Sequence, residues 1–85
     1  MKDTLDISVI IPAKDEEQSI PELGAWIDRV MKANGYSYEV IFIDDGSTDR
    51  TWEEMVKMNL INPSFQRPMK QKHFLSKMGK NTLKY

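Results

Sequence analysis

Apolar residues arrive in this chain first as a dense run, then at helical spacing, then as a dense run again. Ile7-Ser8-Val9-Ile10-Ile11 is β-branched and mostly apolar, which predicts a buried strand. Pro12 is expected to end it, because proline cannot donate to a sheet ladder. Ala13 to Gln18 is polar and predicts a loop. Ser19-Ile20-Pro21-Glu22 has the form of a capping box, with proline tolerated in the first helical turn. Ile20, Leu23, Ile27, Val30 and Met31 then recur at helical spacing. Trp26 widens that stripe, and both it and Trp52 are expected in the core. Asn34-Gly35 is a stop signal. Val40-Ile41-Phe42-Ile43 predicts a second buried strand, and Thr48 to Met58 a second helix with Trp52, Met55 and Val56 on one face. A strand, helix, strand order closes right-handed with its strands parallel. Past residue 58 the pattern weakens. Asn62-Pro63-Ser64 and Arg67-Pro68 read as turns, His73 to Met78 as a short helix, and no third strand stands out.

Length adds a constraint. Eighty-five residues make one domain at most, and a chain this short buries only a little over ~60% of its unfolded surface. Two parallel strands are too few for independent stability, and open strand edges attract another chain, so homo-oligomerisation is expected. Without cysteine, neither a disulfide nor a thiolate metal site is available. That suits a reducing cytoplasm, the expected location. No basic segment followed by an apolar one opens the chain, so no signal peptide is expected. The longest unbroken apolar runs, Val9 to Pro12 and Val40 to Ile43, are far too short to span a membrane.

The net charge of −1 conceals an asymmetry. Residues 1–54 carry all thirteen acids and five Lys/Arg, whereas residues 55–85 carry seven Lys/Arg and no acid. The basic stretch has no regular pattern, and nucleic acid is not expected as a partner.

Both acidic clusters fall where a strand runs out: Asp15-Glu16-Glu17 after the first, Asp44-Asp45 after the second. In open parallel α/β sheets, ligands bind outside the carboxyl ends of the strands. Neighbouring strands lie about 4.8 Å apart, so the two loops would share a rim. Carboxylates there can accept from ribose hydroxyls or a base N–H. Adjacent carboxylates also repel, which raises a pKa or invites a cation. The bland reading stays open: Asp44-Asp45-Gly46-Ser47 is also a good turn and helix cap, and Asp15-Glu16-Glu17 a good solvated loop. A phospho-acceptor receiver also carries paired acids, but after its first strand. No Gly-x-Gly-x-x-Gly or Walker loop is present. His73 reads as an ordinary surface histidine.

Together, Ser8-Val9-Ile10-Ile11-Pro12-Ala13-Lys14-Asp15-Glu16-Glu17 and Val40-Ile41-Phe42-Ile43-Asp44-Asp45-Gly46-Ser47-Thr48-Asp49-Arg50-Thr51 resemble the start of family 2 glycosyltransferases, nearest the dolichyl-phosphate mannosyltransferase-like type. The resemblance covers residues 5–57. It implies an α/β fold: a partial Rossmann-like (GT-A) β-α-β-α unit with parallel strands, completed by self-association. It also implies a nucleotide-diphosphate sugar, UDP- or GDP-linked, as ligand, a lipid-phosphate or polysaccharide acceptor, and Mg²⁺ or Mn²⁺ in the intact family. On this resemblance Pro12 and Ala13 shape a wall against the base, and Glu16 contacts the nucleoside. Asp45 reads the base N–H, with Asp44 supporting it or the ribose. Lys14 stands where many relatives carry Tyr, so a stacking platform is lost; Asp15 replaces a common Asn.

Residues 1–57 thus read as the nucleotide-binding part and residues 58–85 as a basic tail unlike the family. The family's metal-binding Asp-x-Asp motif and its catalytic base have no counterpart after residue 57. No catalytic residue and no metal ligand are therefore assigned, no tightly bound metal is expected, and the chain alone is expected to be inactive. The charge break favours a truncated or frame-shifted reading of a longer enzyme over a short protein whose basic tail docks on its acidic half. Against the enzyme-fragment reading stands a non-enzymatic nucleotide-binding or self-associating module.

Overall fold

Strands and helices alternate along the chain as β1 (Ile7–Ala13), α1 (Ser19–Ala33), β2 (Tyr38–Asp44), α2 (Thr51–Ile61), β3 (Met69–Lys70) and α3 (Gln71–Met78), in a computed structural model that describes residues 5–78. The end of the basic segment, residues 79–85, lies outside the described residues. All strand pairs are parallel, in the order β1-β2-β3. β1 and β2 run in register from Ile7 opposite Tyr38 to Ala13 opposite Asp44, so both predicted acidic loops leave the sheet at one end.

One face of the sheet holds the core. Tyr38, Val40 and Phe42 of β2 pack against Ile20 and Ile27 of α1, Met55 and Met58 of α2, and Phe65. Ile7, Val9, Ile11 and Ala13 join them from alternate positions of β1. Ser8, Ile10 and Pro12 point to the other face, where Ile10 stays 49% exposed. β1 is therefore half-buried, not the buried strand its composition predicts.

Pro12 does not end it. Ile7 donates its N–H to Ser37 O at 3.2 Å, and Ala13 O accepts from Asp45 N at 2.9 Å. In a parallel ladder the main-chain groups of these alternate residues turn toward β2. Those of Ser8, Ile10 and Pro12 turn to the open edge, where proline's missing N–H leaves no ladder bond unmade.

The helix that follows starts where expected but by another device. Ser19 is its first residue, and its hydroxyl donates to Glu16 Oε2 at 2.9 Å. Glu16 O accepts from the N–H groups of Ser19 and Ile20, so Glu16, not a Ser19–Glu22 box, fastens the first turn. The buried stripe runs through Ile20, Gly24 and Ile27. Trp26 sits one position, about 100° of helix, away from Ile27 and is 53% exposed, so it is a surface residue and not core. Gly24 has a packing reason: a Cβ there would stand 2.4 Å from Met58 Cε, and its absence lets α1 and α2 approach closely.

A third strand exists. Val40 donates to Ser64 O at 2.9 Å, Gln66 donates to Val40 O at 2.8 Å, and Ile43 and Asp44 then pair with Met69 and Lys70. Phe65 lies opposite Val40 and Met69 opposite Ile43, four steps of chain against three. The extra residue is accommodated around Arg67-Pro68 as an interruption of the bulge kind. That dipeptide is why the segment reads as a turn. Phe65 is 1% exposed, stacked on Phe42 with centroids 5.8 Å apart and edge-on to Tyr38 at 6.2 Å. At the opposite end of the sheet, Tyr38 donates its hydroxyl to Asp28 Oδ1 at 2.5 Å, and Asn62 Nδ2 donates to the same oxygen at 3.1 Å. Among the described residues no helix is long and apolar enough to cross a membrane.

Candidate functional site

The loops after β1 and β2 are laced together at the carboxyl end of the sheet. Asp15 N–H donates to Ser47 Oγ at 2.9 Å and Glu16 N–H to Thr51 Oγ1 at 2.7 Å. Glu17 N–H reaches Asp49 Oδ2 at 3.4 Å, and Thr48 N–H donates to Asp15 Oδ1 at 2.7 Å. Two residues bend the chain into this arrangement. Gly46 takes φ +75°, and Asp15 takes φ +53°, a left-handed conformation that Asp tolerates better than most residues. The helix α2 accordingly begins at Thr51, not Thr48, because residues 45–50 serve the loop contact.

Thr51 is the pivot. It is fully buried; its hydroxyl accepts from Glu16 and donates to Asp49 Oδ1. That Thr51 hydrogen bond holds the Asp49 carboxyl below the usual range. Thr51→Val keeps the shape but leaves a main-chain N–H without its acceptor, so a loss of about 1–3 kcal/mol in urea unfolding is expected. A Thr51→Ser variant, which retains the hydroxyl, should lose less.

The two aspartates at the tip of β2 have different fates. Asp44 is 1% exposed, with Oδ2 held by Lys70 Nζ at 2.8 Å and Oδ1 accepting from Ser47 N–H at 3.2 Å. Burial pushes its carboxyl up, but Lys70 and Ser47 together outweigh burial and hold it below the usual carboxylate range. Lys70 is itself positioned by Trp52, its Nζ 4.0 Å from the ring centroid. Asp45 is exposed, and its main chain is fixed by the bond to Ala13 O.

Of the residues singled out from sequence, Ala13, Lys14, Glu16, Asp44 and Asp45 all lie on or beside this rim. Lys14 and Glu16 are exposed, as is Asp45. Glu16 divides its roles, one carboxylate oxygen accepting from Ser19 while its main chain joins Thr51. Ala13 packs toward the core, and Pro12 points to the other face of the sheet. Asp44 is buried with both oxygens engaged by protein donors, whereas Asp15, Glu16 and Asp45 are exposed and Glu17 is half-buried. A recess of about 270 Å³ is lined by Asp15, Glu16, Glu17, Gln18, Ser19 and Asp49.

Among the described residues, no group of three or more His, Cys, Asp or Glu is gathered as a metal donor set. With Asp44 tied to Lys70 and Asp15 to Thr48, the described residues do not fit the Mg²⁺ or Mn²⁺ that the resemblance implies. Lys70 and Thr51 were not legible as site residues. Lys70 lies beyond the Arg67-Pro68 interruption, and Thr51 reads as an ordinary helix residue.

The sequence profile described as Glycosyl transferase family 2 matches residues 8–66. The chain is 38% identical over 55 residues to a dolichol-phosphate mannosyltransferase of Pyrococcus furiosus, covering 65% of this chain and 15% of that protein. It is 41% identical over 51 residues to an undecaprenyl-phosphate 4-deoxy-4-formamido-L-arabinose transferase of Salmonella paratyphi B, covering 60% of this chain and 16% of that protein. The chain thus spans about one-sixth of the length of these relatives.

Proposed function

Because the chain belongs to glycosyl transferase family 2, we propose that its laced rim binds the nucleoside end of a nucleotide-diphosphate sugar. It does so as the donor-side portion of an enzyme that passes a sugar to a lipid phosphate. One observation carries this reading: two loops from neighbouring parallel strands are hydrogen-bonded into a single plate at the carboxyl end of the sheet, and both Glu16 and Asp45 belong to it and are exposed. A carboxylate held in that way can accept from a base N–H or a ribose hydroxyl, and it needs no rearrangement of the plate to do so. The two relatives named above are lipid-phosphate sugar transferases by name, which supports the acceptor class.

Binding and chemistry separate here. Departure of a nucleoside diphosphate develops charge that a metal or a cationic clamp must stabilise. Donor binding is the part of that reaction assigned to the laced rim of this chain. A cysteine-free chain suits the reducing cytoplasm.

Titration of the 85-residue chain with UDP- and GDP-sugars, with and without Mn²⁺, tests the reading. Metal-independent binding is expected, weakened roughly tenfold to a hundredfold in Asp45→Ala, the effect of one charge-assisted hydrogen bond. Equal binding by Asp45→Ala and the parent, or no binding by either, sinks it.

The open edge of β1, with Ile10 half exposed beside it, favours self-association as an accompanying property. Sedimentation that returns only a monomer at high concentration would contradict that property, not the donor site.

A further inference from the structure

We propose that the cleft between Trp52 and the segment from Arg67 to His73 is a phosphate-binding site. It adjoins the acidic rim through the Lys70–Asp44 pair and is made largely of residues outside the family match. The cleft encloses about 410 Å³, within the range of small-ligand sites, and is lined by Trp52, Arg67, Pro68, Met69, Lys70 and His73. Three of those six side chains are basic and none is acidic. The recess at the acidic loops, lined in part by Asp15, Glu16, Glu17 and Asp49, has the opposite character.

The ammonium of Lys70 is fixed from two sides. Asp44 Oδ2 accepts from it at 2.8 Å, and the Trp52 ring lies beneath it at 4.0 Å. An ammonium has three N–H groups, so donors remain for a ligand after Asp44 is satisfied. Its side chain is 54% exposed, which leaves those donors accessible. Arg67 and His73 stand on the same cleft, and among the described residues neither has a hydrogen-bond or ion-pair partner. Asp44 offsets one positive charge; that of Arg67 is not offset. Guanidinium and ammonium carry only N–H donors, and the imidazole adds a further N–H at the same recess, a set that phosphate oxygens complete. The flat Trp52 ring, Pro68 and Met69 supply apolar wall for whatever carries the phosphate.

This assignment does not rest on the nucleoside site, because it uses none of Glu16, Asp45 or the 15–17 loop. Phosphate could arrive on a free nucleotide or on a lipid headgroup, and the test separates them. The ¹⁵N-labelled 85-residue chain is titrated with inorganic pyrophosphate, then with UDP, then with farnesyl phosphate in phosphatidylcholine bicelles. The indole N–H signals serve as reporters, with the exposed Trp26 on α1 as internal control. Saturable movement of the Trp52 signal, with Trp26 still, is expected with pyrophosphate. Arg67→Gln should weaken it about tenfold, and adding His73→Gln about threefold more. Both residues are exposed, so an unchanged urea midpoint checks that the variants remain folded.

Movement of the Trp52 signal with UDP assigns the phosphate to a nucleotide; movement with farnesyl phosphate alone assigns it to a lipid. Either result supports the site. Movement spread over lysines elsewhere, an affinity indifferent to Arg67→Gln and His73→Gln, or no response to UDP and farnesyl phosphate alike overturns it. Asp45→Ala should leave pyrophosphate binding intact, which distinguishes failure here from failure of the nucleoside site.

Discussion

Phe65→Ala is expected to remove about 3–5 kcal/mol of folding free energy, the cost of truncating a fully buried aromatic ring. A domain of this size holds roughly 5–10 kcal/mol in all, so the variant should lose about half of its stability. The reason lies in how much converges on this ring. It is sealed between Phe42 and Tyr38, and its neighbours Ser64 and Gln66 make the main-chain bonds to Val40. Asn59 Nδ2 also donates to its carbonyl at 2.8 Å. Without the ring, the segment leading to β3 loses its anchor, and Lys70 is no longer delivered to Asp44. Circular dichroism in urea measures the loss. A change below about 1 kcal/mol would mean that residues 64–70 do not pack on β2 at all, and both the third strand and the basic cleft would go with it.

Lys70→Met should reverse the acid response of the protein. In the parent, the Asp44 carboxyl lies below its ordinary value of about 3.9. A depressed folded-state pKa stabilises the native state above the unfolded pKa. That contribution is lost as pH falls through the folded value, so stability from this group holds above pH ~4 and fades below it. Removing Lys70 leaves a buried carboxylate with Ser47 as its remaining donor, and burial then dominates. Its pKa moves above the ordinary value, and its contribution changes sign: unfavourable at neutral pH, relieved as pH drops through the raised pKa. At pH 7 the variant should be weaker by about 1–2 kcal/mol, a charged hydrogen bond discounted because Lys70 is half exposed. The gap to the parent should narrow toward pH 4. Urea midpoints at several pH values give both curves; parallel curves would show that Asp44 and Lys70 are not paired in solution. Asp44→Asn/Lys70→Met, which removes charge from both members, should give a flat response from this site.

The parts of the fold that were legible are those whose chemistry is local. The stripe Ile20–Leu23–Ile27 and the run Val40–Ile43 each reported an element directly, because period and branching act within a few residues. Both acidic loops were placed at strand ends for the same reason. The misreadings came from tertiary context. Pro12 looks like a strand terminator until the open edge of β1 removes the need for its N–H. Arg67-Pro68 looks like a turn until Val40 and Ile43 supply partners on either side of it. Trp26 looks like core by composition, yet it lies off the buried stripe. At the site, Asp44 and Asp45 are indistinguishable as letters; only tertiary structure brings a lysine 26 residues away to Asp44. Thr51 gave no local signal, since its importance comes from a main-chain N–H 35 residues earlier.

The lacing of residues 15–17 to residues 47–51 has a consequence for dynamics. Amides that donate to side chains across the gap are protected before any ligand arrives, so Asp15 and Glu16 should exchange slowly with deuterium in the free protein. Little backbone entropy is then left to lose on association. A guest at this end of the sheet meets a surface set by folding itself, and its arrival rate reflects diffusion and charge, with no loop closure in between.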